Sequence, residues 1–195
     1  MNLASILGLV GTGIGLVRAL PQLLVILRSG RAAGVSVDST GVSAVVSGGW
    51  AAYGLLTHQP FVALATGSSA VVFTLITLFA LKYGRSPREF RLTPIWLMLF
   101  PLTYTLWGIP GMGLLLPLSV LACNLPQLKT AWAEADLSEL SMGTWLFNLV
   151  DGALWGSYAL LMDDLPILGY GIFQLLTSLV IVALKRHKSR NKVLL

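Results

Sequence analysis

Charge is scarce in this sequence. Only 11% of its 195 residues are Asp, Glu, Lys or Arg, where a soluble domain carries about 25%, and this excludes a soluble globular fold. Cysteine is nearly absent. Cys123 stands alone inside an apolar run, so there is no disulfide framework and no Cys-x-x-Cys metal site. The two histidines, His58 and His187, are too few to anchor a metal by themselves. Catalytic signatures are missing as well: the chain has no GxSxG, no HExxH and no phosphate loop. Gly11, Gly13 and Gly15 fall within an apolar run, where small residues serve close helix packing. Neither an enzyme nor a bound cofactor is therefore expected. What remains is apolar, at 55% hydrophobic residues and a mean hydropathy of +0.79. With no polar stretch long enough for an extramembrane domain, the chain reads as a small polytopic membrane protein.

A bilayer-spanning helix needs about 20 apolar residues. Seven runs approach that length: Leu3 to Leu27, Ser39 to Leu56, Phe61 to Leu81, Leu92 to Ile109, Gly113 to Trp132, Met142 to Met162 and Leu165 to Leu184. Charge or turn residues separate them, among them Arg28 to Asp38, Lys82 to Arg91, and Pro110 with Gly111. The first run lacks a basic lead and a small-residue cleavage pattern, so it is read as a retained helix. Lys and Arg collect on the cytoplasmic side of a membrane. With seven spans and the N-terminus outside, 12 of the 13 basic residues fall in inner segments and the other, Arg18, inside the first span. Fewer or more spans would scatter them over both faces. Because the net charge of +5 resides in these short segments, the expected partner is the lipid bilayer and not a nucleic acid, and the basic stretch from Lys185 is an anchor against anionic lipid.

The chain also repeats itself. Shifted by 105 residues, Leu20-Pro21-Gln22-Leu23 falls on Leu125-Pro126-Gln127-Leu128, Ser36 on Ser141, Val45 on Val150, Trp50 on Trp155, Tyr53 on Tyr158, and Leu55-Leu56 on Leu160-Leu161. Ten of the 41 positions from Val17 to Thr57 are identical without a gap. Matching proline, glutamine, tryptophan and tyrosine in one register is costly to obtain by chance. Each repeat holds three spans, an odd number, so an extra span must invert the chain if both are to run the same way. The expected fold is all-α integral membrane, with seven transmembrane helices as two parallel three-helix bundles joined by an inverting linker helix. The divisions are 1–84 for the first repeat, 85–110 for the linker, 111–187 for the second repeat and 188–195 for a basic cytoplasmic tail.

Two Pro-Gln pairs, each followed 29 residues later by Trp-x-x-Tyr, resemble the PQ-loop superfamily of membrane transporters, which includes SWEET (MtN3/saliva) sugar transporters and cystinosin-like amino acid exporters. The resemblance implies alternating access in the cell membrane and a small polar solute, either a sugar or a zwitterion. It also implies that Pro21 with Gln22 and Pro126 with Gln127 are hinges at the cytoplasmic gate. A missing N–H and a ring clash kink a helix at such prolines, and a static kink that only shapes the bundle is the competing reading.

Thr144, Asn148, Asp151, Trp155 and Tyr158 step by four, three, four and three residues along one face of the sixth span, and Ser39, Ser43, Ser47, Trp50 and Tyr53 step similarly along the second. Such stripes suit a polar, aromatic cavity, with Trp50 and Trp155 as stacking walls and Ser47, Asn148, Asp151 and Gln174 as polar contacts. Tyr53 and Tyr158, near the outer end, suit a gate or cavity rim; packing or a place in the interfacial belt is the alternative for all four aromatics. Arg18 and Asp151 are ionisable residues within spans, expensive there and functional by default. Both lie about 14 Å from the inner edge at about 1.5 Å per residue. They can pair with each other, bind opposite charges of a substrate, or lock the two repeats structurally. The chain departs from the sugar-transporting pattern, which has an asparagine on the third helix of each bundle, because neither the third nor the seventh span contains asparagine. SWEET-like facilitated diffusion of sugars is thus accompanied by two other readings: proton-coupled export of amino acids or other zwitterions, and a non-transporting membrane chaperone or lipid-handling scaffold. Association of the chain with copies of itself is left open.

Overall fold

The computed structural model describes residues 2–32, 35–134, 137 and 140–193. Of Leu16, Arg18, Ala19, Pro126, Thr130 and residues 190–193 it describes the backbone only. The described residues form α1 (Leu3–Ser29), α2 (Val37–Leu56), α3 (Pro60–Lys82), a 3₁₀ turn at Pro87–Glu89, α4 (Thr93–Ala133), α5 (Met142–Met162) and α6 (Leu165–Val193), with no strand among them.

The helix starts are set by capping. Asn2 accepts a hydrogen bond from the Ser5 N–H to begin α1, and Pro60 opens α3 at a position where no N–H is needed. Ser36 caps α2 and Ser141 caps α5, each accepting from the N–H three residues on. The matched serines of the repeat are therefore matched helix starts.

α4 differs from the expectation of two separate spans. A loop is expected at Pro110 and Gly111, yet helix extends over 41 residues and is interrupted by a kink at Gly108 (φ 61, ψ −148). Glycine adopts those dihedrals freely, and α4 is consequently two helices joined end to end. Among the described residues there are thus six continuous helical segments, one of them made of two helices, where seven separate helices are expected. α6 also outruns its apolar segment, continuing from Leu184 to Val193 through the stretch expected as a tail. Lys and Arg are good helix formers, and two of these lysines have work within the fold. Lys185 Nζ donates to the carbonyls of Leu137 (2.8 Å) and Leu140, and Lys188 Nζ to those of Ala131, Trp132 (both 2.9 Å) and Glu134. Lys188 places a cation on the carbonyls at the end of α4, and Lys185 ties α6 to the connection that follows α4.

Four helices, α1, α3, α4 and α6, are long and apolar enough to cross a bilayer, and the chain is an integral membrane protein. α2 and α5 are not in that set; serine, glycine, asparagine and aspartate interrupt them.

The chain divides into two compact units, Met1–Leu115 and Leu116–Leu195. In the first, α3 packs against both α1 and α2. In the second, α6 packs against α5 and bonds to the latter part of α4 through Asn124. Lipid removes the hydrophobic drive for helices to associate, so close packing of small residues has to hold them. α5 and α6 cross so tightly that a Cβ on Gly171 would lie 2.7 Å from Gly156 Cα and 2.9 Å from the Gly152 carbonyl oxygen.

Candidate functional site

In the first unit Trp50 and Tyr53 are buried and meet edge to face, with ring centroids 5.9 Å apart and planes at 85°. In the second unit Trp155 and Tyr158 do the same at 5.4 Å and 77°. Helical spacing of three residues puts each pair on one face, and the edge-to-face arrangement suits their quadrupoles. Ser47 and Asn148 are half-buried. Pro21 and Gln22 lie exposed on α1, and Gln127 is half-buried on α4. The side chains of Arg18 and Pro126 lie outside the described residues.

Asp151 is 4% exposed and its carboxylate accepts a 2.5 Å hydrogen bond from the Tyr170 hydroxyl on α6. One turn further along α6, Gln174 is equally buried and accepts from Asn124 Nδ2 at 3.0 Å. Asn124 also donates to Thr177 Oγ1 at 2.9 Å, and Thr177 in turn donates to the Phe173 carbonyl. The Asp151–Tyr170 pair and the Asn124–Gln174–Thr177 cluster thus set a carboxylate, a phenol, two amides and a hydroxyl on three helical segments of the second unit, all buried except the half-buried Tyr170. Buried polar groups in an apolar medium need partners, and these side chains supply one another.

Positions 105 residues earlier hold Val46, Ala65, Ala19, Ser69 and Val72 in place of Asp151, Tyr170, Asn124, Gln174 and Thr177. Ser69 bonds to the carbonyls of Ala65 (2.9 Å) and Gly15 (3.4 Å). The repeat therefore keeps its aromatic pair in both units, while the acid and amides belong to the second. Sequence reasoning singles out Asp151 and Gln174 but not Tyr170 or Asn124. A polar residue in mid-span is the signal that finds Asn124, which stands directly before Leu125-Pro126-Gln127. Among the described residues no three His, Cys, Asp or Glu side chains gather where a metal ion would sit.

Outside the spans, Asp38 joins α2 to α4. Its carboxylate accepts from the backbone N–H groups of Arg91 (3.0 Å), Leu92 (3.0 Å) and Thr93 (2.9 Å) and from the Thr93 hydroxyl (2.8 Å). Burial alone would raise the Asp38 carboxyl, but these hydrogen bonds outweigh it and hold it at about 2. The four donors satisfy the start of α4, which is a cap supplied from 53 to 55 residues away.

A solved structure, that of a eukaryotic SWEET transporter at 3.7 Å resolution, shares this fold with a TM-score of 0.73 and 17% identity, covering 97% of this chain and 100% of that one. No family model matches the chain. No curated protein matches it either.

Proposed function

We propose that this protein is a carrier of small polar solutes working by alternating access, SWEET-like in letting sugars diffuse downhill across the cell membrane. The observation that carries this reading is the fold held in common with a SWEET transporter over 97% of the chain. The recurrence of the buried Trp-Tyr pair in both units supports it. In this reading the spans number seven, with the parts of α4 on either side of Gly108 counted separately. Repeats 1–84 and 111–187 are joined by an inverting segment, 85–110, and the basic residues put the N-terminus outside and the C-terminus in the cytoplasm.

Trp50 and Trp155 stack on the solute, while Ser47, Asn148, Asp151 and Gln174 exchange hydrogen bonds with it. Pro21 with Gln22 and Pro126 with Gln127 bend at the inner gate, and Tyr53 and Tyr158 close the outer one. Asp151 and Gln174 serve by giving up partners within the protein, Tyr170 and Asn124, for the solute, so binding is selective without being tight. Trp50→Ala and Trp155→Ala each abolish flux in this reading while the amount of protein in the membrane stays the same. Loss of protein with normal activity in the remainder would assign the tryptophans to packing.

One observation favours a second reading, proton-coupled export of amino acids or other zwitterions. Asp151 is a buried carboxylate donated to by a phenol, an arrangement able to take up a proton or to face an ammonium group.

A further inference from the structure

The first unit, 115 residues long, contains two acids, Asp38 and Glu89. Both are spent locally. Asp38 caps α4 as described, and Glu89 holds the Arg85 guanidinium and the Ser86 N–H. The segment from Lys82 to Arg91 nevertheless carries four basic residues in ten. Arg88 and Arg91 are exposed, and their backbone N–H groups bond to Ser86 Oγ and Asp38. Among the described residues neither guanidinium has an acidic partner. Lys82 Nζ stands 5.8 Å from the ring centroids of Phe79 and Tyr83. The platform beneath these cations is firm, because Tyr83 and Phe90 pack on a buried cluster that includes Ile26, Val37 and Ile76.

An apolar groove of about 660 Å³ runs between α2 and the first half of α4, lined by Val45, Gly48, Leu97, Phe100, Pro101 and Tyr104 among others. Leu97 lies six residues beyond Arg91, about 9 Å along a helix at about 1.5 Å per residue. Gly48 leaves room in it, since a Cβ there would meet nothing within 4 Å.

We propose that an anionic phospholipid is seated at this place, its phosphate on Arg88 and Arg91 and an acyl chain in the α2–α4 groove. Two guanidinium forks match a phosphate in charge and geometry, and the positions put cations at the end of spans whose flank is apolar. Charge complementarity selects the headgroup, and the groove selects a lipid over a free phosphate. The site is independent of the transported solute and of the transport reading.

The test is native mass spectrometry of the detergent-purified full chain, exposed to equal amounts of phosphatidylglycerol and phosphatidylcholine. Wild type retains phosphatidylglycerol in preference by about thirtyfold, as expected from two basic residues worth about 1 kcal/mol each at a membrane surface. R88Q/R91Q, which keeps both backbone hydrogen bonds, loses the preference but retains some of each lipid. G48L, which fills open space, lowers retention of both, and inorganic phosphate alone does not displace the bound lipid. Equal retention of the two lipids by wild type, or an undiminished preference in R88Q/R91Q, would overturn the proposal. Displacement by inorganic phosphate would reduce the site to an anion site and overturn it too. A wild-type dimer that G48L dissolves would put a second copy of the chain in the groove and equally overturn it.

Discussion

His58 and Asp163 stand 105 positions apart, differ in chemistry, and share the same left-handed backbone, with φ 56 and 54. Each follows the helix before it into a turn whose next residue bonds back: the Gln59 N–H to the Gly54 carbonyl at 2.7 Å, the Asp164 N–H to the Ala159 carbonyl at 3.0 Å. The following helices then begin alike, with bonds from the Ala63 N–H to Gln59 and from the Leu168 N–H to Asp164. Here the repeat persists in the backbone where the residues no longer match.

A left-handed residue with a Cβ costs about 1–2 kcal/mol, least for Asp and Asn and most for β-branched side chains. Asp163→Val therefore lowers stability by about that amount, while Asp163→Gly does not lower it. Thermal unfolding in detergent distinguishes the two; equal loss in both would assign the position's role to the carboxylate instead of the backbone.

The helices were legible because bilayer thickness imposes a length on apolar runs. α5 occupies the residues its run predicts, Met142–Met162, and α3 starts and ends one residue outside its own. The end of α6 was not legible, because its last turns are held by lysines reaching carbonyls 45 to 57 residues away. Asp38 reads in sequence as a break between spans, and its service to α4 depends on a contact that periodicity cannot encode. Asp151 stands out as an acid within an apolar run. Tyr170 does not, since a tyrosine in an apolar run looks like packing or interfacial belt until a carboxylate is found beside it.

Asp38→Asn weakens the cap on α4 and lowers stability by about 1 kcal/mol near neutral pH. The carboxyl is held at about 2 in the folded protein, below the ordinary value of about 3.9. Its contribution is thus complete above about pH 4 and disappears as the pH falls through about 2. Unfolding midpoints of wild type and Asp38→Asn converge on acidification; a constant gap down to pH 2 would contradict the capping role.

Tyr170→Phe removes one donor to Asp151 and costs about 1–3 kcal/mol, the range for removing one side of a buried hydrogen bond. Asp151→Asn retains an oxygen that accepts from Tyr170 and loses less. Thermal midpoints of the two variants give the order, and the reverse order would show that the hydroxyl is not what holds the carboxylate.

With Cys123 replaced by serine, His58→Cys and Ser189→Cys report the orientation of the chain. Both positions are exposed. An impermeant thiol reagent added outside intact cells labels the cysteine at position 58 and reaches position 189 only after lysis. Labelling of both from one side would rule out an odd number of spans between positions 58 and 189 and, with it, the seven-span arrangement.

Uptake by the purified chain in liposomes, measured over a panel of sugars and amino acids with and without a pH gradient, bears most directly on the carrier reading. Downhill flux of at least one sugar, saturable, unaffected by the gradient and lost in Trp50→Ala and Trp155→Ala, is the expected result. Accumulation of an amino acid driven by the gradient would replace sugar facilitation with the proton-coupled reading. Flux of no solute at all, from protein that remains folded in the liposome, would contradict a carrier altogether.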